Sequence, residues 1–297
     1  MEFKKVVMVC LALALLTSFV LALYTYYKVR KTCSRSTHIL YNARRAEGAK
    51  IFTGVYKAQE IALYTQDGIA LSLYQLIRPH ARRVILFCHG FWQAKEFLYK
   101  FAALFPDDTL LFLDFRTHGS SKGRWISYGY YESQDVRAAV DYIKHTKQMA
   151  ELPLYAIGLS MGSASILKAA YEGAPLDGIV IDSGFACLTT QMGRLFTRMT
   201  GLKQCFFGPT KQLFEYTLGG AIADVSPAKF IQALSIPVLI IHSTTDKTVP
   251  VEDAYALYSC ARGKKELWTV SGPGHVQIYK YYPQEYKQKF DNFFNNN

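Results

Sequence analysis

Short, continuously apolar runs recur along the chain, separated by stretches in which apolar and polar positions alternate with a helical period. The runs are VILFC (84–88), LLFLD (110–114), LYAIG (154–158), GIVID (178–182), VLIIH (238–242) and ELWTV (266–270). A strand covered on both faces has no polar side to display, so such runs predict strands in the interior of a layered sheet. Between them, 130–149 and 251–263 carry amphipathic helical patterns. Strand and helix alternating on this scale imply a mostly parallel sheet wrapped by helices. Upstream, 51–65 and 69–77 read as two antiparallel strands around the turn Gln66-Asp67-Gly68.

Two regions break the rhythm. Between Asp182 and Ser226 about 40 residues pass without a strand-like run, too many for an ordinary loop in a compact domain. Leu188, Met192, Leu195, Phe196 and Met199 follow one face of a helix there, with Arg194 and Arg198 on the other side. A small helical cap over about 184–226 is expected. Its apolar stripe, with Phe206, Phe207, Leu213 and Phe214, either packs on the sheet domain or lines a pocket for an acyl chain. The second region is 6–27, which holds no charge and would extend about 33 Å as a helix, enough for a hydrocarbon core. Tyr24, Tyr26 and Tyr27 would lie at an interface, and Lys28, Arg30 and Lys31 end the run. Residues 1–27 are therefore expected to be a retained single-pass membrane anchor. A secretory signal cleaved near Val20-Leu21-Ala22 is the alternative. Residues 28–50 lack a hydrophobic period and read as a basic juxtamembrane linker, with the folded domain over 51–297. Basic residues flank both ends of the span, so the side of the membrane facing the domain stays open.

Composition changes this picture little. Half of the 297 residues are hydrophobic, enough for a large core and too many for intrinsic disorder. The net charge of +11 suggests nucleic acid until it is located. Residues 1–50 contain nine Lys/Arg against Glu2 and Glu47, so the basic excess lies mainly beside the proposed span. The folded part shows no basic stripe with interleaved aromatics, and no nucleic-acid partner is expected. The six cysteines form no C-x-x-C pairs and no disulfide framework. His89, His118 and Asp114 lack a recognisable metal spacing, and neither metal nor cofactor is expected.

The candidate chemistry begins at Gly158-Leu159-Ser160-Met161-Gly162, a G-x-S-x-G between the run LYAIG and a helical stretch. A serine on so sharp a strand-to-helix turn stands above the sheet edge, next to a helix N-terminus. A serine hydroxyl needs a base. Asp246 follows the run VLIIH, and His275 follows ELWTV in the sequence SGPGHV. All three residues then lie at strand C-terminal ends, in the order Ser, Asp, His. Ser160 is the expected nucleophile, His275 the base and Asp246 the residue that orients it. Asp182, also ending a strand, is a rival acid. The backbone N–H groups of Met161 and Phe91 are the expected oxyanion donors. Arg116, His118 and Ser121 read as braces of a neighbouring loop.

These pieces carry a family resemblance. His89-Gly90-Phe91, Asp114 to Ser121, Gly158 to Gly162, Asp224-Val225-Ser226-Pro227, Asp246 to Pro250 and Gly274-His275 resemble the α/β-hydrolase superfamily. The likeness is greatest to small-cap serine hydrolases, which include esterases, monoacylglycerol lipases and serine aminopeptidase-like members. The resemblance implies an α/β-hydrolase fold and a Ser-His-Asp hydrolase acting on a small-molecule or lipid ester. Thioesterase, peptidase and a catalytically silent binding module remain alternatives, and the oligomeric state is open. His242-Ser243 departs from the pattern, which usually has His-Gly there.

Overall fold

The computed structural model describes residues 39–295 continuously, and before them only positions 5, 8, 17, 19, 20, 23, 24 and 27. Most of the expected anchor at 6–27 thus lies outside the described residues. Among the described residues, no helix is long and apolar enough to cross a membrane.

The chain divides into two compact units, His38–Cys187 with Val225–Asn297, and one that contains Leu188–Asp224. The larger unit opens with helix α1 (Ile39–Lys50), which continues into a wider π turn at Ile51–Val55. This differs from the sequence reading twice. Part of the expected linker is helical, and the first strand starts eight residues later than expected. Phe52, read as a strand residue, is instead buried from the π turn against the rings of Tyr74 and Phe112.

Next come β1 (Gln59–Tyr64), β2 (Ala70–Leu76) and β3 (Val84–Cys88), then a 3₁₀ turn at Lys95–Leu98 and α2 (Tyr99–Leu104). The alternation continues through β4 (Thr109–Leu113), α3 (Glu132–His145), β5 (Leu154–Leu159), α4 (Met161–Tyr171) and β6 (Gly178–Asp182). Within the second unit lie α5 (Leu188–Thr200) and α6 (Gly208–Leu218). The chain then returns to the first unit through α7 (Pro227–Ala233), β7 (Val238–Ser243), α8 (Val251–Cys260), β8 (Lys265–Val270), α9 (Ile278–Tyr281) and α10 (Pro283–Asn295).

The strands form one sheet in the order β1-β2-β4-β3-β5-β6-β7-β8. β1 pairs with β2 and β2 with β4 antiparallel, and every later pairing is parallel. Each residue of β3, β4, β5, β6 and β7 is buried, as the apolar runs required, whereas β8, whose run ELWTV reads as another interior strand, is the edge of the sheet and half-buried throughout. One core layer joins Phe87 and Phe112, whose rings stack at 4.7 Å, to Phe101, Phe105 and the α10 residues Tyr286, Phe290 and Phe294. Parallel strands point their C-terminal ends to one edge, where the loops after β3, β5, β6, β7 and β8 converge.

In the second unit, α5 buries Leu188, Met192 and Phe196. The Phe196 ring lies 5.7 Å from that of Phe207. Glu215 ties this segment to itself, pairing with Lys211 at 2.7 Å and accepting the Ile222 N–H at 2.9 Å. Met199 and Phe206, expected in the apolar face, are exposed instead.

Candidate active site

Ser160 sits between β5 and α4 with φ 53 and ψ −112, a backbone conformation that L residues avoid. Neighbouring glycines permit it by close approach. A Cβ on Gly162 would lie 2.2 Å from the Cys88 carbonyl oxygen, and one on Gly158 would lie 2.6 Å from the Ser163 backbone. The Ser160 N–H donates to the Asp182 carbonyl at 2.8 Å, and Ser163 Oγ donates to the Gly158 carbonyl at 2.6 Å. The elbow is therefore stitched to β3 and β6 on either side.

The three expected catalytic side chains are brought together. Ser160 Oγ lies 2.9 Å from His275 Nε2, and His275 Nδ1 lies 2.6 Å from Asp246 Oδ2. Asp246 Oδ1 accepts the N–H groups of Thr248 and Val249 at 2.7 and 3.0 Å. Burial works against its ionisation, but the His275 hydrogen bond and these N–H groups outweigh it and hold the carboxyl below its ordinary range. A carboxylate on Nδ1 puts the proton there and leaves Nε2 free to accept the serine proton.

The expected oxyanion loop follows β3. A Cβ on Gly90 would lie 3.4 Å from the Ser160 Cβ, so this loop runs directly beside Ser160. The neutral His89 ring braces it, accepting the Phe115 N–H at Nε2 and donating from Nδ1 to the Gly90 carbonyl at 2.7 Å. Gln93 Oε1 accepts the Gly90 N–H at 3.0 Å. The Phe91 ring packs on Tyr128. Met161 is the first residue of α4, where helix geometry provides no internal acceptor for its N–H.

Asp182, the rival acid, makes no hydrogen bond to His275. It is fully buried, accepts the Ser183 hydroxyl at 2.9 Å, and neighbours the buried Tyr286 hydroxyl. Burial pushes its carboxyl up to about 7. Ser183, which the sequence reading passed over, also accepts the Val276 N–H at 3.1 Å. Val276 has φ 55 and Ser183 φ 57, so two strained residues meet across one hydroxyl next to His275. Ser243, the departure from the family pattern, donates to the Pro273 carbonyl, as does Thr245 at 2.8 Å. These bonds tie the Asp246 loop to the His275 loop. Arg116 pairs with Asp135 and Asp67, and Ser121 donates to the Asp114 carbonyl at 2.6 Å. Both brace the loop after β4.

The alpha/beta hydrolase family model matches residues 85–285. The chain belongs to the alpha/beta hydrolase family. The uncharacterized protein YqkD of Bacillus subtilis is 31% identical over 229 residues, 74% of each chain. YfhR of Salmonella typhi, also uncharacterized, is 26% identical and is matched over 61% of its length. Among solved structures, an esterase of Pyrococcus furiosus has a TM-score of 0.67 at 20% identity, covering 81% of this chain and 91% of that one. An esterase of Rhodococcus has a TM-score of 0.58 at 17% identity over 80% of this chain and 98% of its own. The fold is shared with these two esterases.

Proposed function

We propose that the protein is a serine hydrolase that cleaves carboxylic esters through an acyl-enzyme. The continuous hydrogen-bond chain from Ser160 through His275 to Asp246 carries this reading. Ser160 Oγ attacks the ester carbonyl while its proton passes to His275 Nε2. The negative charge that develops on the carbonyl oxygen is met by the N–H groups of Met161 and Phe91. Collapse of the tetrahedral intermediate expels the alcohol, which takes the proton from His275. Water, deprotonated by the same ring, then attacks the acyl-serine and releases the acid. Asp246 stays ionised throughout and stabilises the imidazolium.

A fluorophosphonate probe should label the protein, and Ser160→Ala should abolish both labelling and hydrolysis of p-nitrophenyl acetate. Asp246→Asn should lower both kcat and the rate of labelling by about 10⁴ through the wrong tautomer. A folded Ser160→Ala variant labelled like wild type would remove the nucleophile from this account.

We further infer that 6–27 anchors the protein in a membrane, on the strength of its uncharged length and the lysines and arginines that follow. Full-length protein should stay with membranes after a high-salt wash, which screens ionic contacts but not apolar insertion. Release by salt would oppose a span.

A further inference from the structure

Helix α1 lies in the stretch whose sequence reads as a linker, and it precedes the matched family region of 85–285. Its contacts are nonetheless concentrated on the segment that leaves the oxyanion loop. The Tyr41 hydroxyl donates to the Gln93 carbonyl at 3.4 Å, and the Tyr41 ring packs edge-on against Phe97 at 5.3 Å. Arg45 grips both oxygens of Glu96, with Nε 3.2 Å from Oε2 and a terminal nitrogen 2.9 Å from Oε1. That nitrogen also donates to Ser120 Oγ at 2.9 Å. Gly48 lies so close that an added Cβ would be 2.1 Å from the Glu96 carbonyl oxygen. Tyr41, Arg45 and Gly48 fall at i, i+4 and i+7, one face of the helix.

The segment they hold is short and charged. Gln93 connects to Gly90 in both directions: its N–H donates to the Gly90 carbonyl at 3.2 Å, and its side chain accepts the Gly90 N–H. Lys95 is fully buried, with Nζ 2.8 Å from Asp114, 3.1 Å from Glu60 and 3.6 Å from Glu96. Glu96 is itself 2% exposed. Without Arg45, three carboxylates would face one lysine, and Glu96 would keep only a long contact to it. A buried carboxylate in that position moves toward solvent or takes up a proton. Either change leaves residues 93–96 without the grip of α1, which removing the charge from Glu96 would not restore, and Gly90 and Phe91 lose that support with them.

We propose that α1 is a positioning element of the oxyanion loop, acting through Arg45 on Glu96 and through Tyr41 on Gln93. This rests on the serine-hydrolase reading above. The chemistry therefore depends on a helix that lies before the matched family region, directly after the basic segment that follows the proposed anchor.

The test uses the full-length chain with p-nitrophenyl acetate as substrate. Arg45→Ala should lower kcat about tenfold with KM changed less than about twofold, because oxyanion donors act on the transition state more than on the bound ester. The shape of the pH profile should not change. Arg45→Lys should recover part of the loss. Arg45→Ala with Glu96→Gln removes the stranded buried charge, so it should regain melting temperature but not kcat. This double variant carries the test if the single one fails to fold. A kcat restored by Glu96→Gln, or untouched by Arg45→Ala, would show that the helix only balances charge and would overturn its positioning role. Ser160→Ala is assayed alongside. Activity that survives it overturns the hydrolase reading itself, whereas abolished activity with an unaffected Arg45→Ala overturns only the role of the helix.

Discussion

The two sides of the candidate site are built by different means. On the Ser160 side, backbone is pressed against backbone: Gly162 against the Cys88 and His89 carbonyls, Gly158 against α4, and Gly90 against the Leu159 carbonyl. On the histidine side the backbone is equally strained, at Ser183 and Val276, but side-chain hydroxyls hold it. Ser183 joins β6 to the His275 loop, while Ser243 and Thr245 join the Asp246 loop to Pro273. Glycine crowding allows no intermediate state, since an added carbon atom either fits or does not. A hydroxyl bond can be removed with the loop still in place, loosened by a measured amount. The Ser160 side should therefore fail outright when perturbed, and the histidine side should degrade by degrees.

The largest loss should follow Gly162→Ala. The new Cβ would meet the Cys88 carbonyl oxygen at 2.2 Å and the His89 carbonyl oxygen at 2.8 Å, both backbone atoms with nowhere to move. We expect loss of soluble protein or a fall in kcat/KM of at least about 10³, comparable to removing an oxyanion donor. A well-folded Gly162→Ala enzyme within tenfold of wild type would show that the elbow is far softer than its geometry requires.

This difference in construction also governs what could be read in advance. The glycine-held side is visible as letters, because close approach demands glycine at fixed offsets from Ser160. The buried strands were visible too, since a strand covered on both faces is apolar throughout. The hydroxyls were not. Ser183, Ser243 and Thr245 are indistinguishable from surface serines and threonines until the fold brings loops 28 to 93 residues apart into contact. Helix α1 was missed for a related reason. Its docking face is Tyr41, Arg45 and Gly48, a polar stripe that a search for hydrophobic periodicity passes over. Phe52 misled in the opposite direction, because a lone aromatic among β-branched residues looks the same in a strand and in a buried helical turn.

A smaller effect should separate the two sides more finely. Ser183→Ala leaves the buried Val276 N–H without its acceptor, a penalty of about 1–3 kcal/mol in a loop already strained at φ 55. Part of that cost should appear as lower stability in urea. Part should appear as a fall in kcat of several-fold, since His275 is the adjacent residue. KM should change little. Ser163→Ala, which removes a hydroxyl from the glycine-held side, should cost less kcat because backbone crowding still fixes the elbow. Equal losses in the two variants would erase the distinction between the sides.

The smallest expected effect on activity concerns Asp182, which lies beneath both sides. Burial raises its carboxyl to about 7, so below neutral pH the protonated form prevails in the folded state. An asparagine resembles that neutral form, and Asp182→Asn should keep kcat within about threefold at pH 6.5. The effect should appear in stability instead. Below about pH 4 the group is protonated whether the chain is folded or unfolded, and it contributes nothing to the pH dependence. Between about pH 4 and pH 7 the unfolded chain releases this proton while the folded one keeps it. The unfolded state then binds fewer protons, so stability falls as pH rises, levelling above pH 7 after a loss of at most about 4 kcal/mol. Asp246 acts in the opposite direction: its lowered carboxyl adds stability above its unfolded value and loses it only in acid. The two windows therefore separate. Urea midpoints at pH 5 and pH 8 should show Asp182→Asn gaining on wild type as pH rises. A difference between the two proteins that does not change with pH would mean that Asp182 ionises normally in the folded chain, and the hydroxyl of Ser183 would then be bonded to a buried carboxylate rather than to an acid.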